Sequence, residues 1–265
     1  MEQNKDIFQT LQPLQILDKT YERPPINKNF LRLYGHHLCP YVEKARLALL
    51  AKNLAYQDVQ VNLERRAKWH YLLNEGFLPI LETPQGNTIL ESRIIMDYAE
   101  EAFPKEGVKL YSSDPEEKAY QQMIMKFFDD VASAMFEVVL SHGTSKAGAQ
   151  KLHKVFSRLE ALLKQSSTQF FNSQDKYTMV DIFGLPHVSR IFYLKDSALN
   201  FLYEEEKIEE KYPKLRQWVY HMRAQPEICQ EKGGVIIIKA FQLWTEELIT
   251  LPKGTKPPLR IPMKL

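Results

Sequence analysis

The residues around Cys39 constrain the fold of this chain more than any other segment. An apolar run over 30–34 predicts a buried strand, which Gly35 ends. Pro40 then opens a segment of helical periodicity over 39–53, because a proline suits the first helical turn, where its missing N–H would have no partner. Unpaired amides and the helix dipole at that position favour a thiolate. We therefore predict a reactive thiol at Cys39; the alternative is a buried structural cysteine.

The number of cysteines limits the chemistry of this thiol. A dithiol motif would have a second cysteine three residues after Cys39, where the chain has Val42, and the other of its 2 cysteines is Cys229. A mixed disulfide on Cys39 would most simply be resolved by an external thiol, which is ordinary exchange chemistry. This predicts a small thiol co-substrate such as glutathione. Two cysteines cannot form a disulfide framework, so we expect a reducing compartment, the cytoplasm.

Composition excludes several classes of partner. The chain has 265 residues, of which 44% are hydrophobic and 26% charged, and this suits two globular domains. A net charge of +2 is too balanced for a nucleic-acid-binding surface. No apolar run approaches the roughly 18 residues that cross a bilayer, and the first residues lack the order of a secretory signal. We expect neither a nucleic-acid nor a membrane partner.

The first part of the chain predicts an α/β domain. Residues 1–29 contain several prolines and little periodicity, and we interpret them as an extended N-terminal extension that lies on something else. The next residues have the order βαβαββα, with a parallel βαβ unit and then an antiparallel hairpin. Strands are predicted at 30–34, 56–61, 77–81 and 88–90, and helices at 39–53, 64–74 and 91–103, within a domain over 30–104.

The remainder predicts an all-α domain over 105–250 and a basic, proline-rich C-terminal tail over 251–265. Thr178 and Asp181 have the layout of a capping box at a helix start. The run 235–238 is β-branched and predicts a doubtful strand, which a helix could absorb. Predicted helices lie at 115–142, 147–166, 179–194, 205–210 and 213–224.

Several segments in the same order resemble the cytosolic glutathione transferases, most closely the omega class. The resemblance covers about 20–245 and implies a thioredoxin-like N-terminal domain followed by a helical domain. The segments that carry it are Cys39-Pro40-Tyr41, Trp69, Leu78-Pro79-Ile80-Leu81-Glu82, Glu91-Ser92, Thr178 to Asp181, and Tyr212-Pro213-Lys214-Leu215.

The resemblance implies a glutathione site next to a catalytic Cys39. If Pro79 is cis, the main chain of Leu78 can pair with the cysteinyl unit of glutathione. Glu91 can accept the γ-glutamyl ammonium group. The hydroxyl of Ser92 and the helix amides can hold the α-carboxylate. For Ser92 the alternative is a plain helix N-cap.

Three further residues follow from the resemblance. Arg66 stands where the class has a lysine for the glycine carboxylate of glutathione, and the alternative is a charge on a solvated helix face. Tyr41 and His187 are candidates for the pocket of the second substrate. A core histidine is the commoner case for His187.

His36 and His37 precede the cysteine, where the class has small residues. Together with Cys39 they lack a nearby fourth ligand for a metal, and we predict no metal site. One of the histidines could stabilise the thiolate, but we favour a solvated loop pair.

The leading hypothesis is a glutathione-dependent thiol transferase or reductase that forms a mixed disulfide on Cys39. Its acceptor would be a small electrophile, a disulfide or a dehydroascorbate-like molecule. It would need no bound cofactor, and the resemblance implies a homodimer. One alternative is a conventional conjugating transferase, which would use a residue such as Tyr34 to activate glutathione. Another is a non-enzymatic scaffold or ligand carrier similar to the intracellular chloride channel-like proteins.

Overall fold

A computed structural model describes residues 16–17, 19–229 and 233–257. The chain divides into two compact units, Met1–Lys109 and Leu110–Leu265. The predictions for the first 15 residues and for the last part of the basic tail, 258–265, lie outside the described residues.

The described part of the first unit is a mixed sheet with three helices, and its elements are β1 (Ile16–Leu17), β2 (Leu31–Gly35), α1 (Pro40–Ala51), β3 (Tyr56–Val61), α2 (Lys68–Asn74), β4 (Ile80–Glu82), β5 (Thr88–Leu90) and α3 (Ser92–Ala102). Strand order is β1-β3-β2-β4-β5; β3 is parallel to β1 and β2, while β4 is antiparallel to β2 and β5. The predicted thioredoxin-like order is confirmed, and a short strand from the N-terminal extension adds one edge.

The central strand β2 is buried along its whole length, and its alternating side chains contribute to both faces of the sheet. Tyr34 belongs to an apolar cluster with Val59 and Ile80, and its ring lies 5.3 Å from that of Trp69. At the end of the strand, a Cβ on Gly35 would overlap with the side chain of Val42. Only glycine lets α1 pack this closely on β2.

A buried ion cluster attaches the N-terminal extension to the sheet. The carboxylate of Glu82 contacts Arg32 at 3.0 Å and Arg23 at 2.6 Å. Arg32 also donates to the carbonyl oxygen of Pro25 at 2.8 Å. Buried charges of this kind need paired and hydrogen-bonded partners. The described part of the extension, which was expected to lie on something, therefore lies on this sheet.

In its described part, the second unit is helical and contains no strand. Helix α4 (Pro115–Leu140) packs against α5 (Lys146–Gln165) and α6 (Met179–Tyr193). No helix in the described part of the chain is long and apolar enough to span a membrane. Short 3₁₀ turns lie at Phe171–Ser173 and Leu194–Asp196, and the helices are α4 (Pro115–Leu140), α5 (Lys146–Gln165), α6 (Met179–Tyr193), α7 (Phe201–Glu204), α8 (Ile208–Lys211), α9 (Pro213–Arg223) and α10 (Gly233–Leu248).

Side-chain caps are present at the start of two helices of this unit. Asp114 is the N-cap of α4, and its carboxylate accepts from the main-chain N–H groups of Glu116 and Glu117. Thr178 and Asp181 form the expected capping box at the start of α6.

Two predicted elements of the first unit are shorter than expected. The helix predicted over 64–74 begins at Lys68, because the side chain of Asn62 accepts from the main-chain N–H groups of the two following turn residues, Glu64 and Arg65. The strand predicted over 77–81 begins at Ile80. A turn with left-handed φ angles at Glu75 and Gly76 precedes it.

One prediction for the second unit was wrong, and one open alternative was settled. The helix predicted over 205–210 is replaced by α7 and α8, because Lys207 has a left-handed conformation, with φ 51°, that interrupts the helical path. The segment 235–238, a doubtful strand that a helix could absorb, lies inside α10, so the helical alternative is confirmed. The described part of the tail contacts α10, because the indole of Trp244 in that helix donates to the carbonyl oxygen of Pro257 at 3.0 Å.

Candidate active site

Cys39 is the N-cap residue of α1, and Pro40 occupies the first helical position, as predicted. Its N–H donates to the carbonyl oxygen of His36 at 3.0 Å, and its own carbonyl accepts from Glu43 at 3.1 Å. The residue is partly exposed. The position therefore has both features that a thiol nucleophile needs, a helix start and access from solvent. The nucleophilic role itself stays a prediction.

Strand register brings the other candidate segments next to this loop. Ile80 of β4 is opposite Tyr34 of β2 on one side and Leu90 of β5 on the other. Because both pairings are antiparallel, the preceding residue, Pro79, comes level with the end of β2 and with Glu91. The loop into α1, the residues before β4 and the start of α3 thus meet at one edge of the sheet.

The Leu78–Pro79 peptide bond is cis, as the resemblance implied. Leu78 is partly buried and its side chain packs against the apolar cluster of the sheet, while Pro79 is buried. The side chain of Leu78 therefore anchors the segment from which its main chain would contact a ligand.

Glu91, rather than Ser92, is the N-cap of α3, so the plain-cap alternative for Ser92 is wrong. Glu91 is exposed and has φ 65° and ψ 119°, a conformation that L-residues rarely adopt. Such strain costs on the order of 1–3 kcal/mol and is concentrated at functional sites. Its carboxylate makes no capping hydrogen bond. Ser92 is the first helical residue and is buried. Together the two residues present a carboxylate and helix amides, the groups expected to bind an ammonium and a carboxylate.

Arg66 lies over the turn that leads to Leu78, and not on an exposed helix face. Its guanidinium carbon is 5.9 Å from the ring centre of Tyr71. A Cβ on Gly76 would be 3.0 Å from its Nη1 atom. The side chain is therefore held near the candidate site, and carboxylate binding by Arg66 stays a prediction.

His36 and His37 are buried, so the expectation of a solvated pair was wrong. The Nδ1 atom of His36 accepts from the N–H of Leu38 at 3.2 Å and helps to shape the loop. Burial, with a contribution from the charge of Arg46, lowers the pKa of His37 to about 4. His37 is therefore neutral near pH 7 and supplies no positive charge to a thiolate.

The two residues assigned to the second-substrate pocket differ in exposure. Tyr41 is exposed, and the Lys44 ammonium lies 5.4 Å from its ring centre. His187 is almost fully buried within α6. Their pocket role stays a prediction, and the burial of His187 favours the alternative of a core histidine.

Tyr34, the candidate for a conventional conjugating mechanism, is fully buried. Its hydroxyl lies 3.2 Å from Arg32 and 3.5 Å from Glu82. Burial raises the pKa of this phenol. A hydroxyl in this position cannot reach a bound thiol.

Sequence reasoning missed two polar residues of α2. His70 and Asn74 both contact the carbonyl oxygen of Phe77, next to Leu78. Their separation of four residues, which places them on one face of a helix, was the available signal. No group of three or more His, Cys, Asp or Glu side chains that could hold a metal occurs within the described ranges.

Comparisons with known proteins agree on one family. Residues 33–107 match the family model described as glutathione S-transferase, N-terminal domain, and residues 119–219 match the model of the C-terminal domain. Glutathione S-transferase omega-1 of Sus scrofa is 30% identical over 207 residues, which are 77% of this chain and 81% of the relative. Glutathione S-transferase omega-2 of Homo sapiens is 31% identical over 211 residues, with the same shares of both chains. Glutathione transferase Omega 3C of Trametes versicolor has a similar fold, with a TM-score of 0.65 at 20% identity over 84% of this chain and 91% of that one.

Proposed function

The chain belongs to the glutathione S-transferase family and is a glutathione transferase similar to the omega class, and on this premise we propose that it transfers and reduces thiol groups through a mixed disulfide on Cys39. The single observation that carries the proposal is the partly exposed Cys39 at the N-cap of α1. A helix start favours the thiolate, which is the form that attacks disulfides.

The proposed cycle has two exchange steps. The Cys39 thiolate attacks the glutathione sulfur of a glutathionylated acceptor, a Cys39–glutathione disulfide forms, and the acceptor thiolate leaves and takes up a proton. The thiolate of a second glutathione then attacks that disulfide. Oxidised glutathione is released and the Cys39 thiolate is regenerated. With a dehydroascorbate-like acceptor, two glutathione molecules become oxidised glutathione while the acceptor gains two electrons and two protons.

Binding of glutathione would use groups on both sides of Pro79. The main chain of Leu78 pairs with the cysteinyl unit. Glu91 accepts the γ-glutamyl ammonium, and Ser92 with the α3 amides holds the adjoining carboxylate. Arg66 takes the glycine carboxylate, for which a guanidinium is well suited. The strand register and the turn under Arg66 support this arrangement.

Two alternatives receive less support. A conjugating mechanism with Tyr34 as activator conflicts with the burial of its hydroxyl. A non-enzymatic scaffold or ligand carrier would not need a partly exposed cysteine at a helix start. The proposed cycle needs only the two thiols, so we propose no bound cofactor. We also propose that the protein is a homodimer, as the resemblance implies, and cytoplasmic, as its two free cysteines suggest.

The test is the mass of the intact protein after incubation with oxidised glutathione. Cys229 is exposed and can react non-specifically, so a Cys229→Ser protein provides the background. A gain of one glutathione in that protein, and none in the Cys39→Ala, Cys229→Ser double variant, supports the proposal. An unmodified Cys39 in the folded protein contradicts it.

A further inference from the structure

The carbonyl group of Phe77 is held by two side chains of α2. The distance from its oxygen to Nε2 of His70 is 2.9 Å, and Nδ2 of Asn74 donates to it at 3.2 Å. His70 is fully buried. Because a carbonyl oxygen can only accept, Nε2 carries the imidazole proton. Among the described residues, Nδ1 of His70 has no hydrogen-bond partner, so the bond to the Phe77 carbonyl is the one hydrogen bond of this ring.

These bonds fix the direction of the next amide. The cis bond of this segment is Leu78–Pro79, whereas the Phe77–Leu78 peptide is trans. In a trans peptide the C=O and the following N–H point in opposite directions. The Phe77 carbonyl points towards α2, so the N–H of Leu78 points away from α2. This N–H is the donor assigned to the main chain of glutathione.

The side chain of Leu78 anchors one end of that peptide, but the turn before Phe77 provides little restraint on the direction of its carbonyl. Glu75 and Gly76 have φ angles of 49° and 79°, and glycine adopts many conformations at little cost. The side chain of Phe77 is 65% exposed and so does not anchor its own peptide. The main-chain bond from Phe77 N–H to the Asn74 carbonyl, at 2.6 Å, constrains the other side of the residue. The orientation of the Phe77 carbonyl therefore depends on the side chains of α2.

We propose that His70 is a positioning residue for glutathione: by holding the Phe77 carbonyl, it directs the N–H of Leu78 towards the cysteinyl carbonyl of the bound tripeptide. The inference rests on the proposed function. Burial, with a contribution from nearby Arg66, lowers the pKa of His70, so the ring stays neutral near pH 7 and keeps the required tautomer.

The proposal distinguishes between thiols. Glutathione has a peptide carbonyl next to its cysteine and benefits from the oriented N–H. A small thiol such as 2-mercaptoethanol has no peptide group, so the reaction of Cys39 with the disulfide of 2-mercaptoethanol is independent of His70, whereas the reaction of Cys39 with oxidised glutathione is not. A general structural role of His70 would affect both reactions equally.

The test compares His70→Phe, which keeps a ring but lacks the donor, with His70→Gln, whose amide can donate to the same oxygen. The probe is S-methylglutathione, which binds without reacting, and its Kd is measured by calorimetry. We expect His70→Phe to raise this Kd and the KM for glutathione about fivefold to tenfold, the factor that corresponds to one neutral hydrogen bond. The turnover number should change less than about twofold, because the lost hydrogen bond stabilises the bound substrate and the transition state equally. His70→Gln should bind within about twofold of the unmodified protein.

The outcomes distinguish a failure of the proposed function from a failure of the positioning role of His70. If the unmodified protein does not bind S-methylglutathione, the proposed function fails. If it binds and folded His70→Phe has the same Kd, or if the reactions of Cys39 with oxidised glutathione and with the disulfide of 2-mercaptoethanol lose the same factor in rate, the positioning role is refuted. If His70→Phe does not fold, Asn74→Ala takes its place, since that side chain lies at the surface of α2. An increase in Kd of about twofold to threefold is then expected, and an unchanged Kd refutes the proposal.

Discussion

Replacing Asp181 by alanine should destabilise the second unit by about 3–5 kcal/mol. The carboxylate of Asp181 is fully buried at the start of α6. Its Oδ2 atom accepts from the N–H of Thr178 at 2.8 Å and from the Thr178 hydroxyl at 3.0 Å. Its Oδ1 atom accepts from the N–H of Phe171 at 3.1 Å and from the indole of Trp218 at 2.8 Å. One side chain thus connects α6, the preceding 3₁₀ turn and α9.

The magnitude follows from the donors that alanine would leave behind. Burial raises the pKa of Asp181 to about 6, against the effect of the donated hydrogen bonds, so the group is ionised at neutral pH. In the variant, the two main-chain N–H groups and the indole N–H lose their acceptor in the interior, at about 1–3 kcal/mol each. The hydroxyl of Thr178 can rotate to another acceptor. Removing the buried carboxylate also removes its desolvation penalty. The net loss of unfolding free energy is therefore about 3–5 kcal/mol. Asp181→Asn keeps the volume but turns an NH₂ towards one N–H, and should cost about 2 kcal/mol.

The assay is urea unfolding followed by far-ultraviolet circular dichroism, because Trp218 is itself affected and its fluorescence is a poor reporter. Asp175→Ala is the matched control. Asp175 is an exposed carboxylate in the same connection between α5 and α6, and its loss should cost less than about 0.5 kcal/mol. The reasoning is refuted if Asp181→Ala loses no more than Asp175→Ala, or if the asparagine variant is the less stable of the two Asp181 variants.

The remaining predictions concern the candidate site. Cys39→Ala should abolish thiol transfer and dehydroascorbate reduction at unchanged stability to urea, and reductase rates like those of the unmodified protein would contradict the assignment of the nucleophile. Ser92→Ala should raise the KM for glutathione more than it lowers turnover, because the hydroxyl would bind a remote part of the substrate; an unchanged KM would remove Ser92 from the site. For His37, the folded-state pKa of about 4 lies below the ordinary 6.5, so protonation favours the unfolded chain. The stability due to its neutral form is fully present above pH 6.5 and is lost as the pH falls towards 4. Between pH 7 and pH 5 the unmodified protein should therefore lose about 2 kcal/mol more unfolding free energy than His37→Leu. Equal losses in the two urea titrations would show that His37 is not buried in its neutral form.

Short-range patterns in the sequence determined the elements that carry the site. The step from strand to Cys39-Pro40, the Thr178–Asp181 capping box and the hairpin before α3 each depend on residues within a few positions of one another. Proline at a first helical turn, a capping carboxylate and alternating apolar residues act through local backbone geometry. A single sequence expresses these signals directly, and they suffice for the order βαβαββα followed by helices.

The tertiary structure decided what each side chain contacts. Whether His37 is solvated or buried depends on packing around the loop, and the local sequence is compatible with both. The place of Arg66 over Gly76 follows from a turn that folds back on α2.

Contacts between distant segments explain the rest. Glu91 comes level with Pro79 only through the pairing of β4 with β5, and Asp181 meets Trp218 across 37 positions of the chain. The bond between His70 and the Phe77 carbonyl spans only seven positions, yet it requires two consecutive left-handed residues that no periodicity indicates. Periodicity determines which face of an element is apolar. Strand register and turn conformation determine which polar groups meet, because a shift of one residue in the register or in a turn changes the partners of all the residues that follow.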